Sequence, residues 1–256
     1  MNLTEMRARV REDLQDTDSE NYRWTDDEVD GAIDRVVTEY SLHAPIEQQD
    51  DIATTDGDTE LDISSLSGLL EIKSVEFPIG QTPKYLQRTE YWAGHLYMQD
   101  EGDGEDARVR WLKRHTLLGA TAWVADTAYV LGDIVVPTTS NGFWYECTTA
   151  GTSHATDEPT WPTTEGGTVT DGTTLVWTCH AASIPEQHEE IIVLGTTGYL
   201  AMSASAYTVD RASIAGRHAT INFKAWGKER LDRYDKKLKA VSRSSKVVPH
   251  QLYTDD

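Results

Sequence analysis

The chain begins with a helical pattern of apolar positions. Leu3, Met6, Val10 and Leu14 fall on one stripe, and Asn2 stands before them with Glu5 three residues on, a capping pair. The polar run QDTDSEN ends this element. A second stripe follows, Val29, Ile33, Val36, Val37 and Tyr40, in the stretch WTDDEVDGAIDRVVTEYSLHAP. Thr25 and Glu28 form its capping pair, Asp26 and Asp27 favour the positive end of its dipole, and Pro45 marks its end. The pattern predicts two short antiparallel helices.

Between residues 46 and 118 the period changes. IKSVEF alternates like a strand and stops at Pro78 and Gly80, and ARVRWLKRHTL alternates through Val109 and Trp111. Two or three strands of a small sheet are expected, with an acidic, glycine-rich hairpin or loop at 100–106. Helical signals return at Ile184 and Pro185, with Glu186, Glu189 and Glu190 near the start. Gly195, Gly198, Ala201 and Ala204 form a band of small residues. Glycine costs a helix roughly 1 kcal/mol against alanine, so the band predicts close approach of a neighbour. A last helix is expected from near Ala219, with Phe223, Leu231, Tyr234, Leu238 and Val241 on one face.

Residues 119–182 read as an insertion. Without them, RVRWLKRHTL meets SIPEQHEEIIVLG through a turn of ordinary length. With them, the connection is too long to lack structure of its own. YVLGDIVVPTTSNGFWYECTT reads as two strands around a turn at Ser140, Asn141 and Gly142, and TVTDGTTLVWTC as a hairpin turning at Asp171 and Gly172. Trp123, Tyr129, Trp144, Tyr145, Trp161 and Trp177 supply a small core. A module this size is marginal alone, and a Cys147–Cys179 disulfide would help it where the medium is oxidising. The expected architecture is α+β: mainly a helical bundle with a small β-sheet, formed by 1–118 and 183–256 as one discontinuous domain, plus the inserted all-β module 119–182.

Charge narrows the function classes. The net charge is −20, with 38% hydrophobic and 9% aromatic residues. Such a surface repels free nucleic acid and anionic membrane. It fits a halophilic protein kept soluble in high salt, or an ordinary acidic protein. Two cysteines make no disulfide framework, and the charged, helical N-terminus is not a signal peptide. Asp126 and Asp133 interrupt the longest apolar stretches, so no membrane span is expected, and synthesis and folding in the cytoplasm are.

No phosphate-binding glycine loop and no Gly-x-Ser-x-Gly elbow occurs, and His188-Glu189 lacks the second histidine of a zinc protease. Cys147, His154, Cys179 and His180 suggest zinc, but the adjacent Cys179 and His180 would point to opposite faces of a strand. Neither a metal, a cofactor nor an enzyme activity is expected. The last helix is the exception to the acidic rule, with about ten Lys and Arg between Arg217 and Lys246.

The stretches YRWTDDEVDGAIDRVV, LLEIKSVEFPIG, VRWLKRHTL and IPEQHEEIIVLGTTGYLAMSASAYTVDR, followed by AWGKERLDRYDKKL, resemble head–tail connector (adaptor, or head completion) proteins of tailed viruses. The resemblance covers roughly 1–118 and 183–245. It implies a structural protein of the virion neck, assembled in the host cytoplasm: a homo-oligomeric ring, commonly a dodecamer, between the portal protein and the next neck or tail-completion protein. Genomic DNA would pass through the bore, and the C-terminal segment would dock on the portal. Lys224, Lys228, Arg230, Arg233, Lys236, Lys237 and Lys239 become the residues that meet an acidic portal surface or track DNA phosphates, against the plainer reading of a solvated face.

The insertion resembles small carbohydrate-binding modules of the chitin-binding kind. Trp123, Tyr129, Gly132, Asp133 and Val135 match that pattern, whereas Cys147-Thr148-Thr149 stands where those modules often place adjacent tryptophans. The resemblance implies aromatic platforms for sugar rings. Trp144 beside a turn and Trp161 between prolines are the candidates, the other aromatics being core. A carbohydrate-binding protein acting through this module in host attachment is therefore the alternative to the adaptor.

Overall fold

The computed structural model describes residues 1–208 and 223–244. Among these lie four α-helices, 31% of the described residues, and 28% strand in four sheets. The expectation of a mainly helical bundle is corrected: this is an α+β fold of limited helical content. The chain divides into two compact units, Met1–Val37 with Thr116–Asp256, and Thr38–His115.

Helix α1 (Leu3–Leu14) starts at a complete capping box: Glu5 N donates to Asn2 Oδ1 (2.9 Å) and Asn2 N to Glu5 Oε2 (3.1 Å). Helix α2 (Asp26–His43) repeats the device with Thr25 and Glu28. The turn between them is clasped by buried Arg11. It donates to Asp16 Oδ2 (2.9 Å), Asp26 Oδ1 (2.7 Å) and the Trp24 carbonyl (3.0 Å), while Asp16 also accepts Arg23 N and Trp24 N. That many charge-assisted bonds satisfy the guanidinium away from water. The Arg11 bond also holds the Asp26 carboxyl below the usual range.

The Thr38–His115 unit holds six strands rather than two or three. β1 (Ile46–Ala53), β3 (Leu69–Glu76) and β6 (Asp106–Lys113) form an antiparallel sheet in the order β1-β6-β3, and β2 (Glu60–Leu61), β4 (Thr89–Trp92) and β5 (His95–Met98) form another in the order β2-β5-β4. Their common core contains Leu61, Val75, Phe77, Leu96, Val109 and Trp111. β1 hides from a pattern search because it is an edge strand with polar residues facing both ways, and Asp50 accepts the Trp111 indole (2.6 Å). The acidic segment near 100–106 is a loop tied to the 54–58 turn by Gly102 N to Asp58 O and Gly57 N to Gly102 O.

Seven strands follow: β7 (Thr121–Ala122), β8 (Ala128–Tyr129), β9 (Ile134–Val136), β10 (Phe143–Thr149), β11 (Gly151–Thr152), β12 (Thr168–Asp171) and β13 (Leu175–Ala181). They pair only with one another, as a five-stranded sheet β12-β13-β10-β9-β7 and a two-stranded one β11-β8. Tyr145, Cys147, Leu175, Trp177 and Cys179 fill a core of their own. Its polar centre is Asp171, 2% exposed, which accepts the Trp123 indole (2.7 Å), the Trp177 indole (3.1 Å) and His154 N (2.7 Å). At the ends of the segment, Ser183 Oγ donates to the Thr116 carbonyl (3.1 Å), so the chain leaves and returns side by side.

After Pro185 and a 3-10 turn at Glu186–His188 comes α3 (Glu189–Thr208), buried on nearly every side from Ile191 to Ala201. Helix α4 is Phe223–Ser244; the expected start near Ala219 and the C-terminal tail lie outside the described residues. The small-residue band works as its composition predicts. A Cβ on Gly195 would stand 2.8 Å from Val36 and 3.0 Å from the Tyr234 ring, and a Cβ on Gly227 3.1 Å from Ala201. Tyr234, Leu238 and Val241 turn inward from α4, and Leu231 is half-buried.

Candidate functional site

Helix α4 is the basic element, and the fold sorts its cations into three kinds. Arg230 is tied inward, 2.8 Å from Asp13 and 4.7 Å above the Trp226 ring. Lys237 reaches α3, 2.5 Å from Glu190, whose carboxyl it holds below the usual range. Arg233 pairs with Glu229 (2.6 Å) and Lys239 with Asp235 (2.5 Å), each one turn away along α4. Such exposed pairs are worth well under ~1 kcal/mol and exchange readily for an external partner. Lys224, Lys228 and Lys236 are exposed and have no ion-pair partner among the described residues.

At about 100° per residue, Lys228, Lys236 and Lys239 fall on the side away from Tyr234, Leu238 and Val241, with Lys224 at its flank. The result is a cationic outer face on a helix whose inner face is locked to α3. Of the seven candidates, Arg230 and Lys237 have structural work inside the chain, and the remaining five form the outward set.

The two module tryptophans separate. Trp144 lies on the outer face of the five-stranded sheet, opposite His180 in register, and the rings stack at 4.3 Å and 24°. Glu165 Oε1 is 2.9 Å from His180 Nδ1, and Glu146 Oε2 is 3.5 Å from Nε2. Trp161 instead packs its ring on Tyr145 (4.2 Å) at the wall of the module core, with its indole N–H on Glu158 Oε1 (2.8 Å). Its position in a loop between prolines did not reveal this contact.

Cys147 and Cys179 are free, buried thiols. The disulfide considered for them in an oxidising medium is absent here, and the strand register sets them apart. Cys147 faces Trp177 across the ladder and Cys179 faces Tyr145, so the cysteines are diagonal neighbours. Diagonal Cα atoms sit about 7–8 Å apart, beyond the usual reach of a disulfide. Cys179 and His180 do point to opposite faces, and among the described residues no group of three metal-binding side chains is assembled.

One surface escaped sequence reasoning. The β4–β5 hairpin carries Tyr91, Trp92 and Tyr97 in the open, Trp92 being 71% exposed. The available signal was Tyr91-Trp92 directly before Ala93-Gly94, which both take positive φ at the turn. No helix among the described residues is long and apolar enough to cross a membrane. Compared with models of known protein families and with curated proteins, the chain matches none.

Proposed function

We propose that this chain is a structural protein of a tailed virus, a head–tail adaptor that forms a ring between portal and tail and carries the 119–182 module outward. The observation that carries the reading is the lysine face of α4. On a chain of net charge −20, lysines without ion-pair partners among the described residues are presented by a helix clamped to its neighbour. A cationic face on a fixed helix suits docking against an acidic protein neighbour, because the backbone needs no further ordering and only the lysine side chains lose rotamers on binding. The portal, the next neck protein and further copies of the chain are its partners, DNA passes through the bore, and the role is assembly without catalysis.

The adjacent ends of the module support its outward placement, since the helical part continues across Thr116 and Ser183 without it. The test is association with portal particles of the same virus at near-native salt, followed by imaging of necks assembled from a chain lacking 119–182. Binding, with intact necks that lack a peripheral density, is expected. A purified chain that never associates with the portal ends the reading.

A second reading has one observation in its favour. Trp144 is half-exposed on the outer sheet face, with Glu146 and Glu165 beside it as acceptors for sugar hydroxyls. Glycan-array binding that disappears in Trp144→Ala would establish it, and binding that survives deletion of 119–182 would exclude it.

A further inference from the structure

The sheet β2-β5-β4 ends in an open edge. β4 pairs with β5 on one side only, and all four of its residues, Thr-Glu-Tyr-Trp, are exposed. Edge strands of soluble monomers are normally blunted by lysine, proline or a bulge. β4 has none of these; its short length and Glu90 are its only protection, and it shows Trp92 (71% exposed) and Tyr91 (56%).

Register arranges what stands on its outer face. Tyr97 lies between Glu60 and Glu90 in one row across the three strands, and Trp92 lies opposite His95 in the next. Leu96 and Met98, alternating with these, point the other way and are buried. Glu60 is bonded to His95 Nδ1, so among the described residues Glu90 is the carboxylate beside the rings without a bonded partner. Two open rings next to that carboxylate attract an ammonium group through the ring quadrupoles and through charge.

We infer that this platform binds the lysine face of α4 on a second copy of the chain. The inference rests on the adaptor reading and names the neighbour that the α4 face meets within the ring. Complementarity selects the occupant. Among the described residues the chain carries both halves: exposed rings beside Glu90 on the hairpin, and a row of α4 lysines without ion-pair partners on an otherwise acidic protein. Spacing agrees as well. Lys224 and Lys228 are one helical turn apart, about 6 Å, close to the roughly 7 Å diagonal between Trp92 and Tyr97. A contact of this hairpin-to-helix kind is heterologous, so it repeats from copy to copy and closes into a ring when the rotation permits.

The test is sedimentation velocity of the full chain at near-native salt, without portal. The wild-type chain is expected to self-associate. Trp92→Ala/Tyr97→Ala and Lys224→Glu/Lys228→Glu are each expected to associate at least roughly tenfold more weakly, a loss of one to two desolvated cation–π contacts. All four positions are solvent-facing, and unchanged circular dichroism shows that the variants fold. An equimolar mixture of the two variants is expected to form a dimer and stop there, because only one complementary contact survives. A monomeric wild-type chain, a variant that assembles like wild type, or a mixture that stays monomeric overturns the inference. Portal binding by the same proteins separates the two proposals. Variants that assemble normally and still bind portal remove the hairpin contact and leave the adaptor, whereas self-association without portal binding removes the adaptor and leaves the contact.

Discussion

Gly198 of α3 faces Leu231 of α4 so closely that a Cβ on the glycine would stand 2.8 Å from the leucine Cγ. The approach sets how near the two helices lie, and with it the orientation of the lysine face. Gly198→Ala is expected to destabilise the chain by about 1–2 kcal/mol, overpacking outweighing the roughly 1 kcal/mol gain in helix propensity. Thermal unfolding followed by far-UV circular dichroism measures this. Leu231→Ala in the same chain should relieve part of the strain, and additive losses in the double variant would show that the contact is not tight.

Asp171 holds two indoles and a backbone amide at the centre of the module. Asp171→Ala leaves those donors buried without an acceptor, a cost of about 3 kcal/mol or more. The module should then melt at lower temperature, seen as a shift in tryptophan emission. An emission transition unchanged from wild type would show that water replaces the carboxylate without loss.

Burial pushes the Tyr145 hydroxyl up to about 12, against a bond from Asn141 that lowers it. A group whose folded value is raised stabilises fully below its unfolded value, near 10, and that contribution is lost as pH climbs toward and past 12. The module of the wild-type chain should therefore loosen in strong alkali. Tyr145→Phe, which gives up the bond to the Pro162 carbonyl (2.7 Å), should be less stable at neutral pH and show a shallower alkaline loss. Equal alkaline slopes in parallel denaturant titrations would contradict this.

Glu76 predicts the opposite dependence. Its burial raises the carboxyl, but Arg110 (2.6 Å), the Gly80 amide and Lys84 together outweigh that and hold it below the usual 4.5. Its stabilisation is present above the ordinary carboxylate range and disappears as pH falls through the lowered folded value. Glu76→Gln should weaken the chain at pH 7, with the difference from wild type vanishing in acid. A difference that persists at low pH would assign the effect to packing.

Cys147 and Cys179 have thiols raised by burial, so little thiolate is present at neutral pH. Neither should react with Ellman's reagent until denaturant is added, when both should. Rapid labelling of the native chain would place a thiol at the surface.

The legible parts of this molecule are local. Asn2 with Glu5 and Thr25 with Glu28 announce helix starts because donor and acceptor lie three residues apart. The 119–182 segment declares its hairpins through Asp171-Gly172 and Asn141-Gly142, glycines at positive φ where the chain must reverse. β1 and β4 stayed hidden because edge strands have no buried face to impose alternation. That loss is why the helical share of the fold was overstated.

Residue types and periods by themselves determined the apolar stripes of α1, α2 and α4, the small-residue band of α3 and the excess of cations on α4, since each depends on neighbours within a turn or two. Only the tertiary structure decided which of those cations are spent. Arg230 meets Asp13 across 217 positions of sequence and Lys237 meets Glu190 across 47. It alone set the diagonal that keeps the cysteines apart, the contact of Trp161 with Tyr145, and the row that stands Tyr97 between two glutamates. Strand register and long-range pairing join residues with no fixed spacing along the chain, so no periodic signal records them before the chain folds.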